Sequence, residues 1–490
     1  MSNNPAGSGG FGGRRIGIVG AGPGGICMGI KLLDAGIDAF TIFERSPSIG
    51  GTWFHNTYPG CACDVQSALY SFSFEIKRDW SRPYATQPEI LEYFEHCVEQ
   101  YGLAPHIRLN TGIASARWDD ERALWHLVTE AGDEYEFDVL VSAIGMFNGL
   151  HWPDIPGIDR FAGTLFHSAR WRNDHDLTGE RVAVIGSAAS AVQFVPEIAP
   201  TVAQLHVFQR TPNWVMPKED VPYTPEELER FRTDPDAMLE VRRSLFERID
   251  GAITFSDPRV VAASQQMAAD SMKVVADLEV RAKLTPDFPH GCKRPLTSNV
   301  WYPTFNLPHV ELVTDAVERI TADGVVTADG VCREVDTIII ATGFETTKYL
   351  SAIEVTGRDG RSLSDEWSDG AHAYLGITTA GFPNLFMLYG PNTNNGSILY
   401  MIEHQVEYAL RHLERMRDDE LASIDVRPDV VAAYNVGLQH DLDAVDVWNA
   451  GCNGYYRGPN GKIVTQWPHS MTEYEARTRK PDFDAYEVHR

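Results

Sequence analysis

The chain has no run of about 18 apolar residues, so no membrane-spanning helix is expected. Its first residues, MSNNPAGSGGFGGRR, lack the apolar core of a secretory signal. They read as a Gly-rich disordered lead-in, and the protein is expected in the cytoplasm. Positive charge is scarce: 42 Lys and Arg stand against 68 Asp and Glu, a formal net charge of -26. Such a surface repels nucleic acid and anionic membranes, and neither is expected as a partner. The seven cysteines include no CxxC, which argues against a redox dithiol motif or a zinc ribbon. Cys61 and Cys63 form a lone CxC and read as two reduced thiols. A GxSxG serine elbow and an HExxH metal helix are also missing, so a protein nucleophile or metal centre has no support. What is present is ordinary globular material, 490 residues at 43% hydrophobic and 22% charged, enough for two or three domains.

The chemistry begins at Arg14–Arg45, RRIGIVGAGPGGICMGIKLLDAGIDAFTIFER. IGIVG reads as a strand, ICMGIKLLDAG as a helix ending near Gly36, and AFTIFE as a second strand. Between the first two elements, Gly20, Gly22 and Gly25 have GxGxxG spacing. The first glycine permits the tight turn, the second lets a pyrophosphate approach the backbone, and the third lets helix and strand pack closely. Phosphates then sit at the helix N-terminus. Glu44 closes the second strand, where a carboxylate accepts hydrogen bonds from ribose hydroxyls and disfavours a 2′-phosphate. The site suits FAD or NAD. GGTWFHNTYPGCACD, residues 50–64, decides for FAD, since its glycines and aromatics can lie along a flat ring system.

TGERVAVIGSAASAVQFVPEIA, residues 178–199, repeats the logic. Here the turn is GSAASA: Gly186 and Ser187 are followed by Ala188 and Ala191 in place of the second and third glycines. Ala188 adds a methyl where the pyrophosphate approaches. The next strand, LHVFQRT, ends in Arg210 and Thr211 with no acid at the ribose position, which accommodates the 2′-phosphate of NADPH. VDTIIIATGFE, residues 335–345, reads as a further strand of this second domain.

Two stretches carry a family resemblance. GGTWFHNTYPGCACD presents Gly50, Gly51, Trp53, Tyr58, Pro59, Gly60 and Asp64 at characteristic spacing, and FAGTLFHSARW fits FxGxxxHxxxW through Phe161, Gly163, His167 and Trp171. Both resemble the motifs of type I Baeyer–Villiger monooxygenases, and the likeness runs from Arg15 to about Asp484. It departs at Arg172, where the family usually has Pro or Asp, and at Ala188. The resemblance implies FAD and NADPH as cofactors, and a small-molecule ketone and O2 as reactants. The product is an ester or lactone, formed via a C4a-peroxyflavin. By the same resemblance Gly51, Thr52, Trp53 and Tyr70 belong with the flavin site, and Arg294 of GCKRP is the fixed cation for the peroxide. Asp64 pairs with Arg294, and Lys293 reaches the 2′-phosphate beside Arg210. His167, with Phe161, Gly163 and Trp171, has a conformational role in the linker rather than a catalytic one. An N- or S-oxygenating flavin monooxygenase is the first alternative, which Trp171 disfavours. An NADPH oxidase or redox sensor is the second, which has no use for an Arg294–Asp64 pair.

The expected fold is α/β, with two Rossmann-like domains and a helical insertion. The FAD domain takes residues 1–148 and 379–490, the linker 149–178, and the NADP domain 179–213 and 290–378. Residues 214–289 form the insertion, from the helical spacing of residues 222–251 and 270–284. It is expected to shape the substrate pocket. The Gly- and aromatic-rich segment 447–468 is expected as a lid, with Trp448, Tyr455 and Tyr456 as wall residues.

Overall fold

IGIV and RVAVI are apolar without alternation, the pattern of strands covered on both faces, and each becomes the centre of a parallel sheet. The computed structural model describes residues 12–452, 454–458, 460–480 and 482–490; most of the Gly-rich lead-in lies outside them. In the first sheet, Ile16–Val19 is flanked by Phe40–Phe43 and Val139–Ser142. Ile107–Arg108 and Leu385–Met387 form the two edges, all pairings being parallel. The second sheet repeats this plan. Arg181–Ile185 lies between Gln204–Phe208 and Thr337–Ile340, with Val310–Val313 and Thr164–His167 at the edges. In both sheets the strand order reverses beside the central strand, and such a reversal opens a crevice at the strands' carboxyl ends. Each unit also carries an antiparallel meander, Ile113–Phe137 in the first and Val317–Glu334 in the second.

A helix follows each central strand. Pro23–Asp34 starts on a proline, whose missing N–H would have had no helical partner there. Ala189–Ile198 is its counterpart in the second unit.

Three expectations need adjustment. The FxGxxxHxxxW segment is not a free connector: Thr164–His167 pairs residue by residue with Thr337–Ile340, so the motif's centre is an edge strand of the second sheet. The range 290–378 is divided, because Glu354–Thr356 returns to pair with Ser115–Arg117 of the first unit. Residues 214–289 are helical, but as four pieces: Pro225–Thr233, Ala237–Ala252, Pro258–Met272 and Leu278–Leu284. The period through 270–284 is interrupted because Asp277 caps a new helix through the N–H groups of Glu279 and Val280. The insertion docks on the first unit through Arg242, which donates to the carbonyls of Ala68, Leu69 and Ser71 at 3.0, 3.2 and 2.9 Å. No helix among the described residues is long and apolar enough to cross a membrane.

Candidate active site

The carboxyl ends of both sheets open onto one cleft of about 1340 Å³, lined from both glycine turns. In the first turn the glycines meet different constraints. Gly20 has φ +104, and a Cβ there would stand 2.7 Å from the Ala143 carbonyl oxygen. A Cβ on Gly25 would stand 2.0 Å from the Gly20 carbonyl oxygen. At Gly22 the nearest atom would be the Cα of Gly51 at 3.7 Å, so the space in front of this turn is left open. Gly51 (φ +55) faces it as the N-cap of a helical turn that begins with Thr52. Two glycines thus form a cradle at the N-terminus of Pro23–Asp34, whose first N–H groups have no helical partner. Glu44 is buried beside it, accepting the N–H of Ala21 on Oε2 and of Ser46 on Oε1, both at 2.8 Å. It also lines the cleft, and its remaining lone pairs suit ribose hydroxyls. Beyond the turn, Trp53 donates to the Tyr70 hydroxyl at 3.0 Å, giving a wall of two rings. A dinucleotide ending in a flat ring fits this set.

The second turn is built alike. Gly186 has φ +117, and its Cβ would stand 2.4 Å from the Ala341 carbonyl oxygen, the same conflict as at Gly20. Ala188 caps the helix in extended geometry, φ -92, which an alanine adopts without strain. The loss of the second glycine therefore leaves the turn itself intact. Ser187 lines the cleft, and its carbonyl accepts from Asn213 at 3.1 Å. Lys293 donates to the Thr211 hydroxyl at 2.5 Å. Burial, reinforced by the Arg210 charge, lowers the Lys293 pKa. Lys293, Arg210 and Thr211 thus bring two cations and a hydroxyl into the cleft, a set whose chemistry fits a phosphate.

Arg294 lines the same cleft as the first glycine turn. Its Nε and Nη2 donate to the two oxygens of Asp64 at 2.8 and 3.0 Å, a bidentate pair between residues 230 apart. Each side chain is 31% exposed, on the cleft. Asp64 is the main reason that the Arg294 pKa lies well above the ordinary value, with Tyr455 and Tyr389 adding to it. Leu296–Thr297 anchors the segment by pairing with Val215–Met216. Tyr58 donates to Gln193 at 2.9 Å, and Gln193 donates to the Ala62 carbonyl at 2.9 Å, so the Tyr-Pro-Gly turn is fastened to the second unit's helix. Gly60 permits this, since a Cβ there would stand 2.9 Å from the Gln193 carbonyl.

None of Phe161, Gly163, His167 and Trp171 lines this cleft, although Arg170 between them does. His167 is 1% exposed; its Nδ1 accepts the Ala169 N–H at 3.1 Å and its Nε2 donates to the Gly343 carbonyl at 3.2 Å. Burial pushes its pKa down to about 4. Trp171 packs on Phe166 and Phe194, each at 5.2 Å. Phe161 lies over Gly163, where a Cβ would stand 2.2 Å from the Asp336 carbonyl.

Two expected wall elements lie elsewhere. Trp448 does not line the cleft; it packs against Phe255 and Tyr456, while Tyr455 and Tyr456 do line it. The helical insertion contributes no lining residue to the cleft, and instead walls a separate cavity of about 630 Å³ with Asp441 and His469. Two features had no signal in the spacing. Tyr389 (φ +56) bonds Asn394, which donates to Gln466 at 2.6 Å, so a polar chain backs the cleft. Cys292 and Cys452, 160 residues apart, form a disulfide, whereas Cys61 and Cys63 are free, as expected, and buried.

Two parallel-sheet units with paired dinucleotide turns and a cation held between them define a flavin- and nicotinamide-dependent oxidoreductase. Residues 17–242 match the family described as pyridine nucleotide-disulphide oxidoreductase. The chain is 44% identical over 482 residues to a Baeyer-Villiger monooxygenase of Pseudomonas aeruginosa, covering 97% of this chain and 91% of that one. It is 40% identical, with 97% and 92% covered, to a Baeyer-Villiger monooxygenase of Streptomyces coelicolor. Among solved structures it resembles a closed cyclohexanone monooxygenase (TM-score 0.88, 29% identity) and an oxidized steroid monooxygenase bound to NADP (TM-score 0.87, 29% identity). Both cover 97% of this chain and 99% of theirs. The chain belongs to the Baeyer–Villiger monooxygenase family and uses FAD and NADPH.

Proposed function

We propose that the cleft acts on a small-molecule ketone, with Arg294 as the cation that serves oxygen insertion. The observation that carries this reading is the bidentate Asp64–Arg294 pair on the cleft wall. When bound, FAD reduced by NADPH supplies the oxygen-activating chemistry. The protein's part is to hold and orient. Gly22, Gly51 and the N-terminus of Pro23–Asp34 take the FAD pyrophosphate, Glu44 the ribose, and Thr52, Trp53 and Tyr70 the ring end. Gly186 and Ser187 take the NADPH pyrophosphate, and Arg210, Thr211 and Lys293 the 2′-phosphate. Arg294 meets negative charge as it develops on oxygen, without reorganising, because Asp64 already fixes its planar fork. His167, neutral near pH 7, ties the edge of the second sheet to the loop at Gly343 and acts in domain movement. A cytoplasmic location accompanies this reading, since the reaction draws on NADPH.

The experiment is to incubate the holoenzyme with NADPH, a panel of linear, cyclic, aromatic and steroid ketones, and isotopically labelled O2. The expected product is an ester or lactone carrying one labelled oxygen. Hydrogen peroxide as the sole product across the panel, or oxidation of amines and sulfides alone, overturns the reading.

A further inference from the structure

We propose that Cys292 and Cys452 are a reversible thiol–disulfide couple that fastens the C-terminal loop to the Lys293–Arg294 segment and so tightens the hold on NADPH. The bond joins two rims of one cleft. Cys292 immediately precedes Lys293 and Arg294, and two residues after Cys452 the loop supplies Gly454, Tyr455 and Tyr456 to the lining. The loop lies directly on the segment: a Cβ on Gly454 would stand 3.6 Å from Cγ of Lys293. Cys292 is buried and Cys452 half-buried, so a reductant reaches the bond from the loop side.

The remaining cysteines leave this couple as the chain's thiol chemistry. Cys27, Cys61, Cys63 and Cys97 are buried, and burial raises the pKa of each, to about 12 for Cys61 and Cys97. Low thiolate content makes a thiol slow to oxidise. Cys332 is exposed on the second unit's meander, away from the cleft lining. A disulfide in a compartment that keeps thiols reduced is characteristically a transient one, which suits a switch better than a permanent staple. Closing it takes two thiols and hydrogen peroxide to one disulfide and two waters. Opening it passes two electrons and two protons from a dithiol, which leaves as its own disulfide.

The consequence divides the two neighbours of Cys292. The bidentate hold of Asp64 on Arg294 involves no loop residue, although Tyr455 of the loop adds to the electrostatics there. Lys293 has Thr211, the Phe288 ring and the loop as its supports, and it lines the cleft wall assigned above to NADPH. Opening the bond therefore loosens NADPH and leaves turnover at saturating NADPH intact, a split that a general loss of structure does not give. The inference rests on the assignment of Lys293, Arg210 and Thr211 to the 2′-phosphate; failure of that assignment appears separately, as indifference of cofactor preference to Arg210→Ala.

The test begins by counting thiols in the unfolded holoenzyme with a chromogenic reagent. After hydrogen peroxide at low excess the expected count is five, and after dithiol reduction all seven. Peptide mapping of the oxidised form locates the 292–452 cross-link. The reduced enzyme and the Cys452→Ser variant are then expected to show an NADPH KM raised about fivefold with kcat nearly unchanged, as for lost preorganisation. The KM of Cys452→Ser no longer responds to the dithiol. A count of seven after peroxide overturns the proposal. So does an NADPH KM that is the same in oxidised and reduced wild-type enzyme, a comparison that needs no variant to fold.

Discussion

Gly22 and Gly25 belong to one turn and answer different demands. Gly25 cannot take a side chain because the Gly20 carbonyl already occupies the place of its Cβ. Gly22 can, as far as the protein is concerned, since 3.7 Å to the nearest atom is ordinary contact. Gly22→Ala is therefore expected to fold with nearly unchanged thermal stability yet to purify without flavin colour, whereas Gly25→Ala yields little folded protein. A yellow Gly22→Ala variant contradicts the cradle. These glycines and Glu44 were legible because each meets a backbone or ribose constraint at a fixed offset from its neighbours. Trp448 was misplaced because aromatic content near a cleft does not say which way a ring turns. His167 adds a pH test. In the unfolded chain an imidazole takes up its proton near pH 6.5, but in the fold only near 4. Its stabilising contribution is thus complete above pH 6.5 and is lost as pH falls toward 4. The gap in thermal midpoint between wild type and His167→Gln should close over that window; a gap independent of pH removes the neutral imidazole from the account.

At the scale of elements, the strands IGIV, TIII and RVAVI were readable as mainly apolar runs without alternation, and a helix after each central strand leads to its parallel neighbour, whereas TIII arrives from the meander. Thr164–His167 was not. Four residues at a sheet edge, two of them half-buried, lack a period to detect, and their pairing partner lies about 170 residues away. The insertion's helices were visible as periodicity but not their breaks, since Asp234 and Asp277 end or start helices through local hydrogen bonds rather than through pattern. The strand Gln204–Phe208 carries its own prediction, because it delivers Arg210 and Thr211 to the wall where Lys293 bonds Thr211. Arg210→Ala is expected to lower the preference for NADPH over NADH roughly tenfold to a hundredfold, the scale of one lost charged hydrogen bond. Steady-state kinetics with both cofactors reads this, and an unchanged ratio of kcat/KM values contradicts it.

The whole molecule is one plan used twice, with the two copies facing each other across the cleft. Tyr58 and Gln193 clamp the copies together, and Asp64 pairs with Arg294 on the cleft wall. That arrangement was legible only through family likeness: the spacing of single motifs does not bring residues 230 apart into contact. Under the proposed function, Arg294, fixed by Asp64, serves oxygen insertion and not hydride transfer. The measurement is the ratio of ester formed to NADPH oxidised in Arg294→Ala, with hydrogen peroxide quantified in the same vessel. Loss of one preorganised charge is expected to lower ester formation by about 10²–10³. NADPH oxidation persists, with its electrons recovered as hydrogen peroxide. Arg294→Lys recovers little, since an ammonium does not reproduce the fork that Asp64 holds. A variant lacking Arg294 that still makes one ester per NADPH at the wild-type rate contradicts the account.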